Sequence, residues 1–160
     1  MRHPRKVATA VGFVLVAWAQ LVQAACVETT LAQDLTHPDI VAIFGGSVVE
    51  TTPVSIPLPE NLGQTAAQIV TGQVVGVWKG DVPRETLLYF RVGEARRLLE
   101  AGQEYLFITS QLSRFGRQQF GIPPGDDQRL STNEYGCGAV PFDTAYARRV
   151  VGETRAYPPR

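Results

Sequence analysis

The stretch IVTGQVVGVWKGD, Ile69 to Asp81, is built from β-branched and aromatic residues, interrupted by Gly72 and Gly76 and closed by a Lys-Gly-Asp turn. Such a stretch describes a long strand that has to bend, because glycines carry no side chain to resist coiling. It predicts the central strand of a small barrel, with Val70, Val74 and Trp78 on one face by simple alternation. An ordinary sandwich strand is the alternative reading of the same residues.

Working outward, Asp39 to Glu50 (DIVAIFGGSVVE) reads as a second strand, with Gly45-Gly46 marking a bulge or sharp bend. Before it, Leu31 to Thr36 allows a helical turn or two, ended by His37-Pro38. Thr51 to Thr65 contains Pro53, Pro57 and Pro59 and reads as an exposed loop, since proline cannot donate to a central ladder.

Downstream, Gly80-Asp81-Val82-Pro83 turns the chain into a strand over Glu85 to Val92. Glu94 to Glu100 has the propensity for one turn of helix, and Gln103 to Ser110 is a strand. Phe115 to Gly125 reads as a loop or hairpin tip, and Arg129 to Cys137 as the last strand. Asp143 stands where a helix N-cap would, Thr144 to Val151 carries good helix formers, and Gly152 is a natural stop. Ala156 to Arg160 reads as a frayed tail. About five strands with a short C-terminal helix imply an all-β chain folded as a small closed or partly open barrel.

At the amino end, Arg2, Arg5 and Lys6 precede an apolar run from Val7 to Ala19 and the short segment Gln20 to Ala24. This is the order of a secretory signal peptide, residues 1–24, and the run is too short for a bilayer span of about 20 residues. Cleavage after Ala24 suits the small-residue rule better than cleavage after Ala25. A lipid anchor on Cys26 is disfavoured because Gln23 stands where an aliphatic residue is wanted. Removing the segment takes three of the 15 Lys+Arg and none of the 15 Asp+Glu, leaving 12 minus 15, or −3. That balance argues against nucleic acid as a partner. The expected location is periplasmic or extracellular.

Cys26 and Cys137 are the only cysteines. In an oxidising compartment two thiols in one small domain are expected to form a disulfide, contributing up to about 4–5 kcal/mol in the chain-entropy model.

Catalysis needs a nucleophile, a base and an orienting group, or a cluster of metal ligands. Beyond the leader, His37 is the only histidine, and it sits in a loop before Pro38. Ser47 and Ser55 lie in no Gly-x-Ser-x-Gly elbow, and no His-Glu-x-x-His run exists. Asp126-Asp127 beside Gly125 fits a solvated loop tip better than a calcium site, which needs more spaced oxygens. Trp78, Tyr89, Phe90, Tyr105 and Phe107 fall on expected strands and are read as core. These patterns imply no enzyme, no cofactor and no resident metal.

The order of Cys26, the strand DIVAIFGGSVVE, the strand ending VWKGD, the segment AGQEYLFIT (101–109) and EYGCGAVPFD (134–143) resembles the netrin-module, or tissue-inhibitor-of-metalloproteinases-like, OB-fold domain. Trp78-Lys79-Gly80 resembles that family's strand-ending aromatic-Lys-Gly. Gly102 to Leu106 resembles its hairpin start, and Cys137 with Pro141-Phe142-Asp143 its late cysteine and turn. The resemblance covers most of residues 25–155 and implies an OB-like barrel acting as a protein-binding module. In that family an amino-terminal cysteine presents its amine and carbonyl to a target enzyme's catalytic zinc, beside loops wedged in the cleft. The implied contact ridge here is Ala25, Cys26, Val27, Glu28 and Thr29, running into Thr30, with a zinc metalloprotease as the implied partner. The family usually opens Cys-x-Cys; this chain has one cysteine there, and Ala24 stands in the place of the chelating residue. An envelope-associated scaffold domain, or a hydrolase using His37 with a carboxylate, are the rival readings.

Overall fold

The computed structural model describes residues 30–92, 98–124, 129–132, 138–153 and 155–160. The expected leader, Ala25 to Thr29, both cysteines and Asp126-Asp127 lie outside these residues, as does most of the expected helical turn at Glu94 to Glu100. The elements in order are α1 (Leu31–Thr36), β1 (Ile40–Pro57), β2 (Gln64–Lys79), β3 (Glu85–Arg91), β4 (Glu104–Gln111), α2 (Arg114–Gln119), β5 (Leu130–Thr132), β6 (Ala139–Pro141) and α3 (Ala145–Glu153). β1 pairs with β2, β2 with β3, β3 with β5, β5 with β4, and β4 returns to β1. Five strands thus close into a ring, with β6 added alongside β4. The chain is all-β, a small OB-fold-like barrel with a short helix near its C-terminal end.

β2 is central over Ala67 to Gln73, where it is flanked by β1 and β3; beyond that its far side meets Arg84 and Tyr157. Its bend is made by extra residues. The register steps from Gly45↔Gly76 to Gly46↔Val74, leaving Val75 unmatched, and from Ile43↔Lys79 to Phe44↔Val77, leaving Trp78 unmatched. An unmatched residue bends the strand and reverses the phase of the side chains after it. Val70 and Val74 therefore face the core as alternation requires, but the next core position falls on Val77 and not on Trp78, which packs on the outside. The backbones cross closely at the bend: a Cβ on Gly46 would lie 2.6 Å from the Gln73 carbonyl oxygen.

β1 runs on through the expected loop. Thr51 to Pro57 pairs antiparallel with Gln64 to Val70, and only Leu58 to Gly63 turns, around a 3-10 turn at Pro59–Asn61. Beyond Ser47, β1 has β2 as its only paired strand, and an edge strand accepts proline where a central one does not. The Pro57 carbonyl turns to Gln119 Nε2 on α2, whose Oε1 accepts from Arg91 at 2.7 Å. That relay fastens the outer hairpin to β3.

The apolar runs of β1 and β4 are nearly continuous because this part of the sheet is covered on both faces. Inside the ring, Phe44, Val48, Val70, Val74, Val77, Leu88, Phe90 and Phe107 form the main core, with Phe44 and Phe107 stacked at 5.2 Å between centroids. Outside it, Ile40, Ile43, Leu106 and Ile108 meet Ala147 and Val150 of α3, with Leu35 and Trp78 at the margin. The buried Gln68 closes the end where β3 leads to β4: its amide donates to Leu99 O and accepts from Leu99 N.

Three further expectations are corrected. Phe115 to Gly125 is not simply a loop tip: Arg114–Gln119 is helical, because Ser113 caps it by accepting from Gly116 N at 3.0 Å. The cap of α3 is Thr144, which accepts from Ala147 N, rather than Asp143, and Gly152 lies inside the helix. Residues 156–160 are not frayed; they are hydrogen-bonded onto β2 and the β2–β3 turn.

Candidate functional site

The turn that ends β2 gathers both ends of the described chain. Gly80 makes it possible: its φ is +82°, and a Cβ there would stand 2.3 Å from the Val41 carbonyl oxygen. Only glycine meets both demands.

Lys79, the only lysine beyond the expected leader, holds α1. Six residues are too few for a helix to persist alone. Thr30 starts it with a capping box, its hydroxyl accepting from Gln33 N while Gln33 Oε1 accepts from Thr30 N at 2.8 Å. At the far end Lys79 Nζ donates to Asp34 O at 3.3 Å and to His37 O at 2.9 Å, where Ile40 N also donates, tying the C-terminal end of the helix to β2. Burial pulls the Lys79 ammonium below its ordinary value, against a smaller upward pull from the Asp34 carboxylate. Leu35 completes the attachment by packing on the outer cluster with Trp78.

Gly80 and Asp81 hold the other end. The Gly80 carbonyl accepts from the Tyr157 hydroxyl at 2.6 Å, and the Asp81 carboxylate meets Arg160 Nη1 at 2.7 Å. The backbones pair as well. Val77 and Tyr157 exchange N–H···O bonds of 3.0 and 2.9 Å, Arg84 N donates to Arg160 O, and Arg160 N to Val82 O. Burial, then the Asp81 charge, raises the Tyr157 phenol above its ordinary 10.0. The aromatic at 157 and the stiff Pro158-Pro159 pair are the sequence signals for this docking, because prolines lower the entropy lost on ordering a segment.

Beside this segment lies a groove of about 630 Å³ where the ends of the strands splay. Asp81, Glu85, Thr86, Gln111, Arg129 and Arg160 supply its polar lining, over an apolar floor that includes Val41 and Leu130.

His37 is on the surface of the α1–β1 turn. Its Nδ1 accepts from Asp39 N at 3.2 Å, with the Asp39 carboxylate 4.0 Å away, and neither residue lines the groove. Tyr89, on the outer face of β3, is covered edge-on by Phe120 at 5.0 Å, so it is no open stacking platform. Among the described residues no three His, Cys, Asp or Glu side chains gather as metal ligands, and no helix is long and apolar enough to cross a membrane. Of the sequence-derived ridge, Thr30 alone falls among the described residues, as the N-cap of α1; Ala25, Cys26, Val27, Glu28, Thr29 and Cys137 lie outside them. No family model, curated protein or solved structure matches the chain.

Proposed function

We propose that this chain is an exported, non-enzymatic protein-binding module that docks through the segment Ala25 to Thr30. One observation carries the reading: Lys79 and Leu35 fix α1 to the barrel rim, so Thr30, the last residue of the proposed segment, is itself anchored. A fixed point of attachment lowers the entropy that a joined segment gives up on binding, which favours docking by few residues. The resemblance to metalloproteinase-inhibitor domains gives the partner class, a zinc metalloprotease met by the α-amine of Ala25 or Cys26. Here the zinc belongs to the partner.

The test uses the chain after native processing, with its first residue identified by amino-terminal sequencing, titrated against a thermolysin-type zinc endopeptidase. Inhibition at near-stoichiometric ratio, lost when Ala25 to Thr29 is removed or the α-amine is acetylated, is the expected result. Full protease activity beside the intact chain would overturn the inhibitor reading. Inhibition unaffected by the deletion would move the contact elsewhere.

A further inference from the structure

We propose a second interaction surface, independent of the first: the slot between the end of β2 and residues 82–84 is a strand-addition site for an extended partner peptide carrying tyrosine and, three residues later, arginine. In this structure residues 157–160 hold the slot in cis.

The slot is built from two kinds of contact. Val77 N, Val77 O, Val82 O and Arg84 N form a backbone ladder indifferent to side chains. The Gly80 carbonyl and the Asp81 carboxylate then select for a phenolic hydroxyl and a guanidinium. Strand addition has this division of labour, main chain for attachment and alternate side chains for selection. The ladder uses the N–H groups of positions 157 and 160 alone, so the two positions between them can be proline, which has none. An extended proline segment turns once in three residues, which brings the tyrosine and the arginine to the same side.

The groove beside the slot has room for further residues of a partner. Arg160 lies on the wall of the groove, so a peptide continuing past the arginine would run on between Glu85 to Leu87 and Arg129. The resident segment is a local competitor, tethered at an effective concentration of the order of millimolar. A partner therefore binds measurably once the segment's two selective contacts are weakened.

The experiment compares the full chain with a Tyr157→Ala, Arg160→Ala variant. The probe is fluorescein-labelled Arg-Ala-Tyr-Pro-Pro-Arg, and amide hydrogen exchange is followed at Val77 and Arg84. The variant is expected to exchange faster at both amides and to bind the peptide at least ten-fold more tightly than the wild type. Bound peptide should restore protection, and the same peptide with alanine for tyrosine should not. A folded variant that binds no peptide, or whose two amides stay protected, overturns the proposal. So does a variant population that gains a second copy in place of peptide. Should the double variant lack the wild-type circular dichroism spectrum, Tyr157→Ala alone, which removes the Gly80 contact, is taken through the same measurements. If that also fails to fold, the segment is a structural strand and the proposal falls.

Discussion

Lys79 supports a helix that it does not belong to, and its substitution separates two roles a lysine could have there. In Lys79→Met the stem still covers apolar surface while Asp34 O loses the Nζ bond and His37 O keeps only its bond from Ile40 N. A bond from a charged donor contributes about 1.5–3 kcal/mol. Chemical denaturation should therefore find the variant less stable by about 1–3 kcal/mol, with α1 amides exchanging faster. Tyr157 makes a pH-dependent contribution whose sign follows from its raised phenol. Below pH 10.0 folded and unfolded forms both keep the proton, and the Gly80 contact is fully present. Above it the unfolded chain ionises first, so stability falls as pH rises through the folded value. Lys79, lowered from 10.5, runs the other way, but it is common to both proteins when wild type is compared with Tyr157→Phe. The variant should lose less stability than wild type from pH 10 upward in melts across that range. By contrast the Asp81–Arg160 pair is exposed on both sides, and such pairs contribute about 0–1 kcal/mol. Of the two side-chain contacts that hold the segment, the Tyr157 hydroxyl on Gly80 O is therefore the larger.

At the scale of elements, the strands with local signals were legible: Glu85 to Val92 and Gln103 to Ser110 fall within a residue of β3 and β4. The bend at Gly45-Gly46 was legible too, because glycine pairs in a β-branched run have few other uses. What stayed hidden depended on neighbours. Trp78 left the expected face because Val75 is inserted against β1, which no pattern within β2 records. The outer half of β1 read as a loop because proline forbids a central strand, and nothing local says that this half is an edge. Those prolines have a use on an edge, where an unbroken row of donors invites other chains to pair. In Pro53→Val the monomer should keep its stability within about 0.5 kcal/mol, as surface changes usually do. Light scattering on concentrated samples should nonetheless show faster association than wild type. At the candidate site the motif Trp78-Lys79-Gly80 was visible in sequence, but its bonds to α1 and to Tyr157 join residues far apart along the chain.

For the molecule as a whole, one core inside the ring and one outside share the β1–β4 ladder, so damage there is felt on both sides. Phe107 is fully buried, stacks on Phe44 and touches the ring of Tyr105. Phe107→Ala should cost about 3–5 kcal/mol, read as a lower denaturation midpoint with one transition for both helices and barrel. Among the described residues the ring is closed between β3 and β5 by two pairs, Leu88↔Leu130 and Tyr89↔Ser131. Both extremities, in contrast, converge on Lys79, Gly80 and Asp81. A mechanical load applied between residues 30 and 160 would reach that turn from both sides, from α1 through Lys79 and from the final segment through Gly80 and Asp81. The few bonds at that turn carry the load first, so the two end segments should come away before the barrel strands separate.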